Sequence, residues 1–596
     1  MKRMIPILAL ILSTGLLYPP VVPLEAQESK RPNVVVVITD DQGYGDLSCL
    51  GNPVLKTPHL DELYRDSVRL SDYHVSPTCS PTRAALLTGH WTNRTGVWHT
   101  IMGRSMLREN EVTMGQMFQD AGYETGMFGK WHLGDNYPFR PEDRGYTEVL
   151  RHGGGGVGQT PDYWDNAYFD GSYWHNGQVE PAKGFCTDVF FDYAKQFIST
   201  QKALGKPFLA YISTNAPHGP MHSPKAFSAP YNNQNTNVAN FFGMIANIDD
   251  NVGKMRQFLD QQGLAQNTIF IFTTDNGTSS GRKVFNAGMR GQKGSEYDGG
   301  HRVPFFVHWP EGHLMGGRDV TPITAHVDVL PTLLDLCGLP QPAEIKFDGR
   351  SLAGLLKNTT ENWPDRILVT DSQRVKDPIK CRKSSVMTNR WRLVNGKELF
   401  DIKADPGQTR NIADQHPKIV DRLVTFYENW WAEIEPTFDD ATQIYLGHPG
   451  ENPARLTSHD WITTSSTPWN QSMVRKALNG PGNTGFWNVN VVSPGAYELE
   501  LRRWPKEIDQ SIHSALPAGP GVPGARAFRE TPGSAIQPVK ARVQIGSLTE
   551  ERPIPNDAKS VIFQMELPTG PNQLSASFLD AEGIEHGAYY LYVRRK

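Results

Sequence analysis

Cysteine is scarce in this chain. Five among 596 residues are too few for a disulfide-stapled scaffold, and there is no CxxC pair to suggest a zinc site or a dithiol redox centre. Long apolar runs are missing as well. The stretch from Met4 to Tyr18 covers 15 residues and is interrupted by Pro6, Ser13, Thr14 and Gly15, whereas a bilayer-spanning helix needs about 20. There is no excess of positive charge: 59 Lys and Arg against 63 Asp and Glu leave a formal net charge of −4, which disfavours the basic surface of a nucleic-acid binder. Charged residues at 20% and apolar residues at 38% exclude both a disordered polyampholyte and a multi-span membrane protein. Internal repeats and low-complexity tracts are also lacking. Gly (55) and Pro (44), by contrast, make up about 17% of the chain, above the usual ~12%, as in a loop-rich globular protein. A length of 596 residues exceeds one hydrophobic core and predicts two or three domains.

The first 26 residues read as an address. Met1-Lys2-Arg3 is a basic head, Met4 to Tyr18 an apolar middle, and Leu24-Glu25-Ala26 a small-residue cleavage site, the layout of a secretory signal peptide. No Cys follows it, so a lipoprotein is not indicated. The expectation is an exported protein, periplasmic or secreted, without an integral membrane segment.

From residue 27 to about 345, short apolar runs alternate with helical stretches. The runs are Val34 to Ile38, Thr125 to Phe128, Phe208 to Ile212, Thr268 to Phe272 and Val303 to Val307; the helices are Asp61 to Leu70, Val112 to Ala121, Asp188 to Gln201 and Asn240 to Gln262. Continuous rather than alternating apolar runs belong to strands buried on both faces, so the pattern predicts an α/β domain on a large, mostly parallel sheet. Residues 346–450 predict a smaller antiparallel α+β unit, with strands at Trp391 to Val394 and Glu398 to Phe400 and a closing helix from Lys418 to Ile434. Residues 451–596 predict an accessory β-sandwich, with strands at Gly485 to Val492, Ala496 to Leu501, Ala541 to Ile545 and Ala588 to Val593. That sandwich is expected to pack near Phe400 and narrow access to the site. Its Trp461, Trp469, Trp487, Trp504, Tyr589, Tyr590 and Tyr592 suit either a core or sugar stacking, with burial the better expectation for each taken singly.

Four of the predicted strands end in polar clusters: Asp40-Asp41, Lys130-Trp131-His132, Asn215-Ala-Pro-His218 and Asp275-Asn276. In open parallel sheets ligands bind beyond the carboxyl ends of the strands, so four clusters at one edge predict a site. Asp40, Asp41, Asp275 and Asn276 are hard oxygen donors, suited to Ca²⁺, with Mg²⁺ as the alternative, rather than to Zn²⁺. In Cys79-Ser-Pro-Thr-Arg-Ala-Ala-Leu-Leu-Thr-Gly89, Pro81 fits the first turn of a helix and Gly89 its C-cap. Cys79 then sits at a helix N-terminus, where an anion is favoured and a thiol pKa is depressed. Arg83, four residues on, shares its face.

Cys79-x-Pro81-x-Arg83 followed by Leu87-Thr88-Gly89 resembles the signature of type I, formylglycine-dependent sulfatases, arylsulfatase-like members of the alkaline phosphatase superfamily. Further motifs follow in order over Arg31 to Gln415: Thr39-Asp40-Asp41-Gln-Gly, Gly129-Lys-Trp-His-Leu-Gly134 and Thr274-Asp275-Asn276-Gly. Thr82 departs from the smaller residue many members carry, and Asp298 stands where the family usually has Glu. The resemblance implies that a maturing enzyme converts Cys79 to Cα-formylglycine. One hydroxyl of the aldehyde's hydrate attacks a sulfate ester and the other later expels sulfate, an exit that Ser lacks. It further implies one Ca²⁺ on Asp40, Asp41, Asp275, Asn276 and residue 79. Lys130 then holds the sulfate, His132 assists sulfate release, and His218 with Lys293 lies near the leaving oxygen.

The glycine-rich segment from Arg151 to Trp164 contains Gly154-x-Gly156-x-Gly158 without a strand–turn–helix context, so it is no dinucleotide loop. It lines the pocket or is an ordinary loop; in the first case His152 or Gln159 touches sugar or sulfate. Cys49, Cys186, Cys337 and Cys381 allow up to two disulfides of undetermined pairing. The expected activity is hydrolysis of sulfate monoesters on carbohydrates or aryl groups. Alternatives are a phosphonate or phosphodiester hydrolase on the same nucleophile, and a catalytically silent carbohydrate-binding protein whose Cys79 stays a thiol.

Overall fold

The computed structural model describes Met1 and residues 31–360, 363–477 and 484–596. The expected signal peptide, Met1 apart, therefore lies outside the described residues. Elements used below are, in chain order, β1 (Asn33–Thr39), α1 (Cys79–Thr88), β2 (Glu124–Gly129), β3 (Glu148–Arg151), α2 (Cys186–Leu204), β4 (Phe208–Ser213), α3 (Thr236–Gln261), β5 (Thr268–Thr274), β6 (Phe305–His308) and α4 (Pro417–Ile434).

A ten-stranded sheet forms the centre, and its middle runs β5-β1-β4-β2-β3, every pair parallel. The continuous apolar run of β1 explains its central place. Val34, Val36 and Ile38 face one core with Leu86, Leu87 and Leu330, while Val35 and Val37 face a second with Phe190 of α2 and Phe241 of α3. Residues Val34 to Ile38 are all fully buried, each contributing about 1.5–3 kcal/mol of apolar burial. The result is helix–sheet–helix layering. No helix among the described residues is long and apolar enough to cross a membrane.

Three details differ from the sequence reading. The helix expected at Asp61 to Leu70 is Pro58–Asp66, and Val68–Leu70 instead forms a strand beside β6. Val68 and Leu70 are buried while Arg69 between them is not, the two-residue period of a strand with one covered face. The run at Val303 to Val307 starts only after Pro304, which has no N–H to give a ladder, and β6 lies antiparallel to β5. The four-residue β3 and a hairpin, Ser172–His175 with Gln178–Pro181, extend the other edge; they are too short to stand out in the sequence.

The smaller unit is a four-stranded antiparallel sheet, Leu368–Asp371, Ser384–Met387, Trp391–Val394 and Glu398–Asp401. Across it lies α4, burying Leu423, Tyr427, Trp430, Trp431 and Ile434, a stripe at helical spacing. An ionic knot ties this sheet to the large one. Arg392, fully buried, donates to Asp298 at 3.0 Å and to Asp72 at 2.9 Å, and His74 bonds Asp72 and His301 at 2.9 Å each. Asp298 thus pairs with the guanidinium, which holds its carboxyl below the usual range against the effect of burial.

The C-terminal region is a sandwich of a six-stranded and a four-stranded sheet. Trp461, Trp487, Trp504, Tyr589 and Tyr590 are core, and Trp469 stays partly exposed. Its seat differs from the expected one at Phe400, which stands edge-on to Tyr297 instead. The sandwich sits on the glycine-rich segment: Thr160 N–H donates to Trp469 O at 3.0 Å, Arg475 pairs with Asp165 at 2.6 Å, and Trp164 enters the sandwich core against Trp504 and Tyr590. A large ring such as Trp164 on a loop is better buried against a new surface than left in water.

All five cysteines are free. Cys337 lies in one core, Cys186 in the other with Cys49 at its margin, and Cys381 against the small sheet, so the possible disulfides are not formed.

Removing one partner of a buried ionic knot strands the opposite charges, at a cost of about 3–5 kcal/mol. Arg392→Ala is accordingly expected to lower the first thermal unfolding midpoint by several degrees and to leave α1 and β1 intact by hydrogen exchange. A midpoint within one degree of the parent would contradict the role given to the knot.

Candidate active site

Because β1, β2, β4 and β5 are parallel, their carboxyl ends emerge at one edge, and Asp40-Asp41, Lys130, Asn215–His218 and Asp275-Asn276 follow directly. Two of these positions need unusual backbone. Asp41 and His132 have φ of 66° and 62°, a left-handed conformation that is uncommon for non-glycine residues and recurs at functional sites.

Helix α1 begins at Cys79, is buried along its whole length, and stops at Gly89 with φ 72°. Arg83 on its second turn donates to Asp275 Oδ2 through Nη2 at 2.6 Å and Nε at 3.1 Å, and through Nη1 to Ser213 Oγ. Lys130 Nζ donates to Asp40 Oδ2 at 2.6 Å. Lys293 Nζ lies 2.5 Å from Asp41 Oδ1, with His218 Nε2 3.8 Å from Asp41 Oδ2. The Asp41 N–H donates to Asp275 Oδ1 at 3.1 Å and Asn276 Nδ2 to Asp41 Oδ1 at 3.0 Å. Three carboxylates, three cations and the Cys79 thiol therefore form one buried assembly.

The electrostatics follow from that packing. Burial and the nearby Asp40 charge push Asp275 up to about 6. Burial also raises Asp40, while Lys293 and His218 hold Asp41 below the ordinary carboxylate range despite its burial. Lys293 is raised by Asp41, overriding burial. Burial lowers His132 well below its ordinary value and His218 to about 4. The Cys79 thiol corrects the sequence reading: burial raises its pKa, outweighing the helix N-terminus that was expected to depress it.

The histidine environments define their free nitrogens. His132 Nε2 faces Thr100 O at 2.8 Å and Nδ1 faces Cys79 Sγ at 3.5 Å. With the carbonyl able only to accept, Nε2 carries the proton and Nδ1 offers its lone pair to residue 79. His218 Nδ1 likewise donates to Gly219 O at 2.7 Å, turning Nε2 toward Asp41. The glycine-rich segment closes over this side. A Cβ on Gly155 would stand 2.1 Å from His132 Cε1, so only glycine fits there. Gln159 is pulled onto that loop, accepting the Gly155 N–H at 2.7 Å, and His152 is turned inward, bonding Asn215 Oδ1 through Nε2 and facing Gly153 O through Nδ1. Both support the loop's shape.

The oxygens present fit a divalent cation. Asp40 Oδ1 and Asn276 Oδ1 are buried without a hydrogen-bond partner, and such atoms are rare unless another ligand satisfies them. One ligand atom each of Asp40, Cys79 and Asp275 lie within 4.8 Å of one another. An oxygen-rich set of this kind suits Ca²⁺ or Mg²⁺.

Comparison with known proteins agrees with this geometry. The family profile described as Sulfatase matches residues 32–339, more than half the chain. The chain belongs to the sulfatase family. A second profile, N-sulphoglucosamine sulphohydrolase, C-terminal, matches residues 292–427. Arylsulfatase A of Homo sapiens is 28% identical over 502 residues, covering 72% of this sulfatase and 96% of the relative. N-acetylgalactosamine-6-sulfatase of Rattus norvegicus is 31% identical over 357 residues, 55% of this chain and 66% of that one. The crystal structure of Ps i-CgsB in complex with k-i-k-neocarrahexaose superposes with TM-score 0.62 at 26% identity, covering 67% of this chain and 92% of the other. The sulfatase is an enzyme that hydrolyses sulfate esters, of the type I class within the alkaline phosphatase superfamily.

Sequence reasoning missed several neighbours of this centre. Ser213, at the end of β4, meets Arg83, and Thr100 supplies the carbonyl that orients His132. His459, from the sandwich, stacks obliquely beside His132 with ring centroids 6.0 Å apart. None sits in a recognisable motif. Their roles come from tertiary neighbours more than 30 residues away.

The metal assignment has a pH signature. In the ion-free protein the folded chain holds a proton on Asp275 between about pH 4 and 6 that the unfolded chain has released. Its contribution to stability therefore falls as pH rises through that window; raised Asp40 acts with the same sign, and lowered Asp41 changes only below about pH 4. A cation on these oxygens competes with the proton. The rise in unfolding midpoint on adding Ca²⁺ should be small at pH 5 and larger at pH 7, and Asp275→Ala should abolish it. A rise that is equal at both pH values, or absent at pH 7, would rule the assignment out.

Proposed function

We propose that this sulfatase removes sulfate from a saccharide, in an exported compartment, using Cα-formylglycine made from Cys79 by a maturing enzyme and one Ca²⁺. The observation that carries the reading is the meeting of Cys79, His132 Nδ1, Lys130, Lys293 and the Asp40–Asp41–Asp275–Asn276 oxygens in a single buried assembly. The aldehyde hydrate supplies a nucleophilic hydroxyl, and the cation supplies charge to hold it and the sulfate oxygens. The names of the relatives, an N-acetylgalactosamine-6-sulfatase among them, and the oligosaccharide in the Ps i-CgsB structure support a sugar substrate.

The chain's own residues divide the remaining work. Arg83 holds Asp275 and Ser213, so the carboxylate stays aimed at the ligand position. Lys130 and Lys293 are preset cations beside the place where a sulfuryl group would sit, and need no reorganisation as charge develops. His132, neutral and oriented by Thr100 O, accepts a proton from residue 79 through Nδ1. His218 is neutral in the free protein. An incoming sulfate anion favours its protonated form, which then donates to the departing sugar oxygen.

Two measurements test this. The mass of the peptide spanning Cys79, isolated from the native host, should show conversion of the thiol to an aldehyde; quantitative free thiol contradicts the nucleophile. His218→Ala should lower kcat/KM about 10²–10⁴-fold on a sugar sulfate and far less on p-nitrophenyl sulfate, whose leaving group needs little acid. Equal losses on both contradict the acid role. A higher kcat/KM on an aryl phosphodiester than on the aryl sulfate would move the assignment to phosphodiester hydrolysis.

A further inference from the structure

Beside the catalytic assembly a cleft of about 920 Å³ opens between the small sheet and the sandwich. That is at the upper end of the ~300–1,000 Å³ typical of small-molecule sites. It starts at Lys293, which reaches Asp41 at one end. One wall is the small sheet's loop region, with Arg374, Arg382 and Lys383; the opposite wall is the sandwich segment running from Thr463 to Trp469.

The charge of this cleft departs from that of the chain. Acidic residues slightly outnumber basic ones overall, yet five Lys and Arg line the cleft and no Asp or Glu does. Among the described residues Arg374, Arg382 and Lys383 make no ion pair. Arg382 Nη1 donates to Ser372 O at 2.5 Å and Lys383 Nζ to Gly294 O at 3.2 Å, neutral carbonyls; Arg382 also lies within electrostatic reach of the buried Asp371 behind it, while Arg374 and Lys383 have no such partner among the described residues. Arg374 is exposed and held with a left-handed φ of 37°. Surface cations elsewhere in the chain are commonly paired, as Lys380 is with Glu428 and Lys559 with Asp509.

The facing wall has the chemistry of sugar contact. Thr464, Ser465 and Ser466 are exposed hydroxyls, and Trp469 is partly exposed, its ring edge-on to Phe528 at 6.1 Å. An indole face stacks on a pyranose ring, and hydroxyls bond its substituents. In the proposed function Lys130 and Lys293 already serve the cleaved sulfate, so the small-sheet cations answer to another group. Guanidinium forks match the planar or tetrahedral oxygens of carboxylate and sulfate.

We propose that this cleft is a subsite for a second anionic substituent, so that the substrate is an oligosaccharide carrying at least one sulfate or carboxylate besides the ester that is cleaved. The proposal deepens the sulfatase reading and rests on it for the position of the cleaved ester. The accessory sandwich is then a specificity element, supplying the sugar-contact wall opposite the cations.

The test uses the full-length mature protein and a variant carrying Arg374→Ala, Arg382→Ala and Lys383→Ala. Calorimetry measures binding of a dextran sulfate oligosaccharide, with unsulfated dextran of equal length as reference. The triple variant should bind dextran sulfate at least tenfold more weakly, with kcat/KM on p-nitrophenyl sulfate within twofold of the parent. Trp469→Ala should weaken dextran sulfate binding with the same small-substrate activity. A control with Lys183→Ala, Lys225→Ala and Lys418→Ala, exposed and outside the cleft, should bind like the parent. Unchanged affinity in the first variant, no binding by the parent, or an equal loss in the control would each overturn the subsite. If Cys79 of the parent is quantitatively a free thiol but the tenfold loss is seen, the subsite stands and the formylglycine reading on which it rests falls.

Discussion

Three carboxylates packed into one buried edge repel each other, and that repulsion organises the centre of this protein. Asp40, Asp41 and Asp275 are at most 3% exposed, where like charges are costly unless cations answer them. Lys130 takes Asp40, Lys293 takes Asp41 and Arg83 takes Asp275. Each cation comes from a different part of the chain, so the carboxylate cluster can be neutral only if β2, α1 and the loop before β6 all converge on it. The same negative charge makes an oxygen set that suits a divalent cation, and in the proposed function the lysines that balance it face the sulfuryl group.

The second layer of the protein serves that convergence. The buried Arg392 knot reaches from the small sheet to Asp72 and Asp298, on the segment that follows Lys293. Asp298 in place of the family's usual Glu retains a carboxylate for this guanidinium, which accounts for why the shorter side chain is compatible with the site. On the other flank the sandwich clamps the glycine-rich loop through Thr160, Asp165 and Trp164, and that loop in turn lies against His132. Regions far from the strand ends thus press on His132, whose ring Thr100 O orients.

Much of this was legible along the chain. Continuous apolar runs at Val34 to Ile38 and Thr268 to Phe272 announce doubly buried strands, because a strand covered on both faces has no polar side to reveal. The polar clusters after those runs, and the helix start at Cys79 with its stop at Gly89, are local signals of turn and cap. The aromatic residues of the sandwich were read as core on the same kind of local evidence, and Trp461 and Trp487 are indeed buried.

What the sequence by itself determined, then, is which polar residues close the strand ends and which segments form strands and helices, since both depend on short-range pattern. The tertiary structure alone decided how they act on one another. It reversed the expected pKa shift of Cys79, because desolvation depends on every neighbour in space and not on a helix end alone. It moved the sandwich from Phe400 to the glycine-rich loop, because docking depends on matching surfaces that are hundreds of residues apart. It turned His152 inward, placed His459 beside His132, and gathered Arg374, Arg382 and Lys383 across from Trp469. Burial and long-range charge pairing are properties of the folded whole, and no local window of residues encodes them.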